Sequence, residues 1–89
     1  MKKRISESVA DIWGVPKDVI MNLPRLTILG DKEIYIENHK GILEYTNHEI
    51  RISTPMGSMR ICGKGLVIDR IRLEDIVISG SFTKVEYEI

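Results

Sequence analysis

The sequence contains one cysteine, Cys62, and no apolar run as long as a membrane span. A lone cysteine cannot form an internal disulfide, and a spanning helix needs about 18 or more consecutive apolar residues. Cationic charge is not in excess either, because 13 Lys and Arg balance 13 Asp and Glu. Strong nucleic-acid binders carry clustered cations. We therefore expect a cytoplasmic protein that binds no nucleic acid.

The chain also lacks a recognisable arrangement of catalytic or metal-binding side chains. His39 and His48 are nine residues apart with Glu37 near the first, but both histidines occupy turn sequences and show no spacing typical of a metal site. No base is placed beside Cys62 to activate its thiol. The sequence predicts two turn histidines and a structural thiol.

Two further motifs have structural explanations. Gly63-Lys64-Gly65 resembles part of a phosphate-binding loop, but the Walker pattern needs a longer loop followed by a helix, and a strand pattern follows here. Three carboxylates in the segment 69–75 lie beside Arg70 and Arg72, as in a solvated turn with compensating charges. We expect a hairpin turn at the glycines, and no catalytic residue, cofactor, metal or small-molecule substrate for this protein.

Alanine is almost absent, with one residue against 15 Ile and 6 Val, and such β-branched composition favours strands. The exception is the N-terminal segment. There, Ile5, Val9, Ile12 and Trp13 recur with helical spacing until Gly14. A short helical turn follows and ends at Pro24. With 89 residues there is room for one small domain, which we divide into a helical segment, 1–24, and an all-β part, 25–89.

The basic start of the N-terminal segment leaves its role open. Acidic and serine residues interrupt any signal-peptide core, so we expect no export. The apolar face of the helix is predicted to pack on the β domain. An anionic membrane surface is an alternative, opposed by Glu7 and Asp11, and a partner protein is another.

After Pro24 the apolar residues alternate with period two, as in half-buried strands. Alternation is found at Leu26/Ile28, Ile34/Ile36, Ile50/Ile52, Met59/Ile61 and Val85/Tyr87/Ile89, and the runs Leu66-Val67-Ile68 and Ile76-Val77-Ile78 are apolar throughout. Glycine-rich and polar turn sequences, among them Gly63-Lys64-Gly65 and Ser79-Gly80-Ser81, separate them. We predict a mainly β fold, a small antiparallel sandwich or roll of seven to eight short strands. A short β-solenoid is the alternative, because Met59–Gly63 and Ile76–Gly80 are similar in sequence.

Five apolar residues form a candidate interaction surface. The doubly apolar strands place Val67 and Val77 on a second face, which the N-terminal helix or a second copy must cover. Val85, Tyr87 and Ile89 alternate on a C-terminal strand with no segment after it to cover its edge. These residues predict a homodimer or larger self-assembly, although Glu86 and Glu88 oppose pairing by like charge.

Long stretches of the chain resemble the YabP/YqfC family of sporulation proteins. The resemblance is carried by LPRLTILG from Leu23, by IYIENHKGILEYT from Ile34, and by the phrases G-x-x-L-x-I from Gly63 and I-x-I-x-G from Ile76. It implies a protein made in the mother cell of an endospore-forming bacterium and needed at some stage of spore formation. It also implies a membrane-associated companion, YqfD. It supplies no catalytic residue or ligand.

Three classes of function are compatible with these observations. The first is a non-enzymatic structural or assembly component of sporulation that acts through protein-protein contacts. The second is an adaptor or regulatory module that docks a membrane-associated, YqfD-like partner and lies peripherally at a membrane. A small enzyme is the third, and it would need a pocket formed by an oligomer. We expect the first.

Overall fold

The computed structural model describes residues 21–89, and this part of the chain forms six β-strands. They are β1 (Arg25–Leu29), β2 (Glu33–Glu37), β3 (Gly41–Tyr45), β4 (Glu49–Thr54), β5 (Gly57–Ile71) and β6 (Asp75–Glu88). The strands form one open sheet in the order β1-β2-β6-β5-β4-β3, and every neighbouring pair is antiparallel. The prediction of a mainly β, antiparallel fold is confirmed, but residues 21–89 form one sheet rather than the two packed sheets of the predicted sandwich. The alternative of a β-solenoid is wrong, because such repeats stack parallel strands.

The predicted count of seven to eight short strands is wrong, since β5 has 15 residues and β6 has 14. Two glycine sequences that were expected to be turns lie inside these strands. Gly63-Lys64-Gly65 is part of β5, and Ser79-Gly80-Ser81 is part of β6. Each long strand therefore joins two of the predicted short ones. One strand, β3, has no counterpart among the predicted strands, because apolar and polar residues do not alternate in its sequence, GILEY.

Gly63 and Gly80 allow close contact between backbones rather than a chain reversal. A Cβ at Gly63 would overlap the carbonyl oxygen of Ser81, and one at Gly80 would lie 3.0 Å from the carbonyl oxygen of Gly65 and 2.9 Å from Cδ2 of Leu66. The pairing register of β5 with β6 shifts twice within residues 62–67. Such shifts are β-bulges, which bend strands and increase their twist. The long hairpin thus bends at its middle.

The long hairpin consists of β5 and β6, and each of its halves pairs with one short hairpin. The β1–β2 hairpin pairs with residues 75–79 of β6, and the β3–β4 hairpin pairs with residues 57–62 of β5. Each end of the sheet is consequently four strands wide. One end consists of β1, β2, the first part of β6 and the last part of β5. The other consists of β3, β4, the first part of β5 and the last part of β6.

The turn of each short hairpin is hydrogen-bonded to the bend of the long hairpin, and the two hydrogen bonds occupy equivalent positions. The N–H of Gly80 donates to the carbonyl oxygen of Lys32 in the β1–β2 turn at 3.2 Å, and the N–H of Gly63 donates to that of His48 in the β3–β4 turn at 3.0 Å. The two similar sequence phrases that end in these glycines therefore occupy equivalent places. Their similarity reflects an approximate two-fold repeat within one antiparallel sheet.

The core is formed by alternate residues of the strands, as the period-two pattern predicted. Cross-strand neighbours such as Ile34 with Ile78 and Ile50 with Ile61 are fully buried. One cluster contains all nine of the largest fully buried side chains: Ile34, Ile36, Ile50, Ile52, Met59, Ile61, Leu66, Ile76 and Ile78. Both ends of the sheet thus share a single hydrophobic core.

The predicted helix with Ile5, Val9, Ile12 and Trp13 lies outside the described residues. So do its predicted packing on the β domain and the alternatives to it. β1 begins at Arg25, and the division into segments 1–24 and 25–89 stays a prediction.

Candidate functional site

Three turns meet at one end of the sheet and form a groove that we call the turn junction. Its walls come from the start of the described chain at Asn22, from residues 37–41 between β2 and β3, and from residues 71–75 between β5 and β6. The groove has a volume of about 860 Å³ and is open to solvent. The order of the strands therefore brings together segments that are distant in sequence.

Asn38 links the three segments to one another by hydrogen bonds. Its backbone N–H donates to the carbonyl oxygen of Glu74 at 2.8 Å. Its side-chain amide donates to the carbonyl oxygen of Leu23 at 3.0 Å and to Oδ1 of Asn22 at 3.2 Å. Asn38 has a φ of 63°, in the left-handed region that asparagine tolerates better than most residues. The residue type suits both the turn and the hydrogen bonds.

His39 uses both ring nitrogens to join two turns. The N–H of Gly41 donates to Nδ1 at 2.9 Å, and Nε2 lies 2.8 Å from the carbonyl oxygen of Arg72. A ring nitrogen that accepts a hydrogen bond carries no proton. We therefore assign the neutral form with its proton on Nε2, which donates to Arg72. The predicted turn position of His39 is confirmed, and the structure adds a specific tie that the sequence did not indicate.

Asp75 is the centre of a charge cluster beside the groove. The Arg72 guanidinium donates to both of its carboxylate oxygens, with Nε 2.9 Å from Oδ1, and Nη2 of Arg70 lies 3.7 Å from Oδ2. The hydrogen bond from Arg72 lowers the pKa of Asp75, and the positive charges of Arg72 and Arg70 act in the same direction. The same bond and the charge of Asp75 raise the pKa of Arg72. This agrees with the prediction of a turn with compensating charges.

Exposed apolar residues adjoin these polar groups. Leu73, at the tip of the β5–β6 turn, is 90% exposed, and Ile71 just before it is 53% exposed. Both line the groove. The turn junction therefore presents exposed apolar side chains beside paired charges.

A second polar surface covers the outer face of the other end of the sheet. We call it the charged face, and it consists of Glu44, Glu49, Arg51, Arg60, Glu86 and Glu88. Arg60 lies 3.1 Å from Glu49 and 3.0 Å from Glu86, and Arg51 lies 3.2 Å from Glu88. Charges of both signs therefore cover four strands, and the two arginines, which lie opposite each other on β4 and β5, are flanked by carboxylates.

The carboxylates of β6 are held within this network. Hydrogen bonds from Ser58 and then from Arg51 lower the pKa of Glu88. The charge of Glu49 is the main cause that raises the pKa of Arg60. Glu86 and Glu88, which the sequence suggested would oppose pairing, thus meet arginines of their own chain.

The remaining chemistry-bearing residues are dispersed. Cys62 is half-buried on β5, where it lies between Glu49 and Lys84 of the neighbouring strands. His48 is exposed in the β3–β4 turn, as predicted. Among residues 21–89, no three His, Cys, Asp or Glu side chains are grouped as a metal ion would require.

The five residues of the predicted interaction surface lie in two places. Val67 and Val77 belong to the end of the sheet that contains β2, whereas Val85 and Tyr87 belong to the end that contains β4, with Ile89 just after β6. Their exposure differs as well. Ile89, Val67 and Tyr87 are 91%, 47% and 46% exposed, Val85 is half-buried against the core, and Val77 is only 7% exposed. Val77 can therefore contribute little to a surface of the folded chain.

All six strands and both polar surfaces fall within residues 22–89, which match the family model described as the YabP family. The chain belongs to the YabP family. It is also 38% identical over 86 residues to the uncharacterized protein YqfC of Bacillus subtilis (strain 168), a match that covers 97% of this chain and 92% of the relative. No solved structure matches the chain.

The phrase IYIENHKGILEYT, on which the family resemblance partly rested, has a clear structural role in this YabP-family domain. It contains β2, the turn with Asn38 and His39, and β3. The asparagine-containing turn could be predicted from sequence, since asparagine favours left-handed turn positions. The bond from His39 to Arg72 could not, because it joins residues 33 positions apart. Within the described part of this family member, no helix has the length and apolar character needed to cross a membrane.

Proposed function

We propose that this protein is a non-enzymatic component of endospore formation, which acts in the cytoplasm of the mother cell as a structural or assembly protein. Membership of the YabP family supports the link to sporulation that the sequence resemblance implies. Contacts with other proteins, rather than chemistry at a pocket, are then its mode of action.

The observation that carries this proposal is the amount of apolar side chain left at the strand edges and turns. Ten large hydrophobic residues among positions 21–89 are at least 46% exposed: Met21, Ile28, Leu29, Leu43, Tyr45, Val67, Ile71, Leu73, Tyr87 and Ile89. Scattered exposed apolar residues are normal, but their concentration at open edges is typical of surfaces that meet other chains. A domain this small has few other surfaces to offer a partner.

A second candidate is an adaptor that docks a membrane-associated sporulation partner similar to YqfD. The turn junction favours it, because exposed Leu73 and Ile71 stand beside paired charges there. Such a mixed surface suits recognition of a specific partner. The adaptor would lie peripherally at a membrane through that partner.

Complementation tests the proposal. A Bacillus subtilis strain that lacks YqfC is given this chain or an empty vector, and heat-resistant spores are counted. We expect this chain to restore spores. A relative whose loss leaves the spore count unchanged, or a folded chain that fails to restore it, would contradict the sporulation role.

A binding measurement separates the two candidates. Purified full-length chain and detergent-solubilised YqfD are mixed and analysed for a stable complex, with Leu73→Asp as the test variant and Leu43→Asp on β3 as an exposed apolar control. The adaptor hypothesis predicts a complex that Leu73→Asp weakens and Leu43→Asp does not. The structural hypothesis predicts no direct complex with YqfD for the wild type or for either variant.

A further inference from the structure

Four stretches of strand lie at an edge of the described sheet. β1 and β3 are its outermost strands. Because β5 and β6 extend beyond their shorter neighbours, among the six described strands residues 67–71 pair only with β6 and residues 84–88 pair only with β5. An edge leaves backbone N–H and C=O groups without a strand partner, so each is a potential template for another chain.

Two of these edges have features that oppose strand addition. On β3 the register shifts between Ile42 and Glu44, and on the end of β5 it shifts between Ile68 and Arg70. Bulges of this kind turn an edge away from regular pairing. The N–H of Ile68 is also occupied, because it donates to the hydroxyl oxygen of Tyr45 at 3.1 Å.

The end of β6 is protected by charge. Lys84, Glu86 and Glu88 alternate along it, and Glu86 is held 3.0 Å from Arg60. Antiparallel pairing of two copies centred on this stretch places Glu86 directly opposite its equivalent. Like charges opposite each other destabilise a strand pair.

Within residues 21–89, β1 has none of these protections. It forms five consecutive pairs with β2 without a register shift, and its sequence after Arg25 is Leu26-Thr27-Ile28-Leu29. Ile28 is 49% exposed and Leu29 is 52% exposed. A regular and partly exposed edge whose one charged residue, Arg25, lies at its end is the kind that another strand extends.

We propose that β1 is a self-association edge, where a second copy of this chain adds its own β1 antiparallel across a two-fold axis at Thr27. The two sheets then continue into one. This inference rests on the proposed function and deepens it by naming the partner and the surface of one contact.

The sequence of β1 is compatible with this symmetric pairing. Leu26 lies opposite the partner's Ile28, and Arg25 lies opposite the partner's Leu29, so no like charges face each other. The two arginines stand about 14 Å apart at ~3.4 Å per residue, beyond the screening length of about 8 Å at physiological salt. Leu26 and Ile28 also share a face with their core neighbours on β2. Pairing therefore continues the apolar rows across the seam.

The contact is short, so the dimer should depend on concentration. Interfaces well below about 1,200 Å² belong to weak or transient associations. Sedimentation velocity of the purified full chain over a wide concentration range measures this directly. We expect the mass to rise from that of the 10.2 kDa chain towards twice that value. A monomer at every concentration overturns the proposal.

A charge-swap pair tests the position of the axis. Thr27 is exposed, and across the axis it meets its own equivalent at a Cβ distance of about 5 Å. Thr27→Asp alone and Thr27→Lys alone should each remain monomeric through like-charge repulsion, whereas an equimolar mixture of the two should dimerise. Thr83→Asp, at an exposed threonine of β6, is the matched control and should dimerise as the wild type does.

Amide hydrogen exchange of the wild type gives a readout that needs no variant. Raising the concentration should slow exchange within residues 25–29 and leave residues 84–88 unchanged. Dimers that survive both Thr27 variants, or protection confined to 84–88, would assign the contact to another edge and overturn the proposal. A monomeric chain that still restores spores would reject the β1 dimer alone, while failure to restore spores would reject the proposed function.

Discussion

Nε2 of His39 lies 2.8 Å from the carbonyl oxygen of Arg72, so that a single imidazole holds the β2–β3 turn against the β5–β6 turn. The other ring nitrogen accepts from Gly41 at 2.9 Å, which fixes the ring in place. The sequence predicts His39 as an exposed turn residue. In the structure it links two turns through hydrogen bonds.

Replacement of His39 by Ala should lower the free energy of unfolding by about 1–2 kcal/mol, because two hydrogen-bond partners lose their contact. For a domain of this size that corresponds to a decrease of several degrees in melting temperature. His48→Ala is the matched control, since the His48 side chain is exposed in a turn and makes no hydrogen bond to residues 21–89. Urea denaturation of both variants measures the difference. Equal stability of the two would show that the His39 tie contributes nothing.

Gly63→Ala should be the most damaging glycine substitution in the described domain. The new Cβ would overlap the carbonyl oxygen of Ser81, a clash that only a backbone shift at the bend can relieve. We expect a loss of about 3 kcal/mol or more, at the upper end of overpacking effects.

Gly30→Ala is the control for this substitution. Gly30 has a φ of +56°, but no atom lies within 4 Å of the position that the new methyl group would take, so its cost is that of the left-handed backbone, about 1 kcal/mol. Denaturant midpoints compare the two. An equal loss of stability in the two variants would mean that the destabilisation comes from backbone conformation rather than from the contact at the bend.

The alternation of apolar and polar residues predicted most of the strands, because a half-buried strand has one face in the core and the other towards solvent. Ile34, Ile36, Ile50 and Ile52 are all fully buried where period two placed them inward. The pattern failed at Gly63 and Gly80, since the same residue type serves a tight turn and a close backbone approach. At Gly63, only the contact with Ser81, 18 positions away, distinguishes the two.

The candidate surfaces were less predictable, because edges are a property of the assembled sheet. Val85 and Tyr87 were expected at an edge on account of their place near the end of the sequence, and among the six described strands their stretch of β6 pairs with β5 alone. The β1 edge has no such signal. Its exposure follows from the pairing of β2 with β6, which leaves Ile28 and Leu29 outermost.

A double substitution tests the non-enzymatic role. Cys62→Ser with His48→Gln removes the one thiol and the exposed imidazole and leaves the hydrogen bonds of His39 in place. If the protein acts through contacts alone, the variant should restore heat-resistant spores to the YqfC-deficient strain as well as the wild-type chain does. Loss of spores with a circular dichroism spectrum identical to that of the wild type would point to chemistry at one of the two positions.

The stability of the domain should depend on pH through Asp75. Its pKa is lowered below the ordinary value of 3.8 by the hydrogen bond from Arg72, so the folded state binds this proton less readily than the unfolded state. The stabilisation is therefore complete above the unfolded pKa and is lost as pH falls through the lower folded value. Asp75→Asn should flatten the decline in unfolding free energy below about pH 4. Arg72→Gln, which removes the donor, should flatten it in the same way, and an unchanged slope in both variants would contradict this assignment.

Tyr45→Phe should loosen the end of β5 without unfolding the sheet. The Tyr45 hydroxyl accepts the N–H of Ile68 at 3.1 Å on a stretch where no described strand other than β6 pairs with β5, so its removal leaves that amide to water. We expect amide exchange at Ile68 to accelerate several-fold, since local opening then breaks one hydrogen bond fewer. Tyr35→Phe on β2 is the control and should leave Ile68 unaffected, because Tyr35 faces Thr27 and Val77 across its own strand pairs. Exchange measured by nuclear magnetic resonance at a single concentration distinguishes this effect from self-association. Unchanged protection of Ile68 in Tyr45→Phe would show that the hydroxyl does not cap this edge in solution, and that the bulge between Ile68 and Arg70 alone keeps it single.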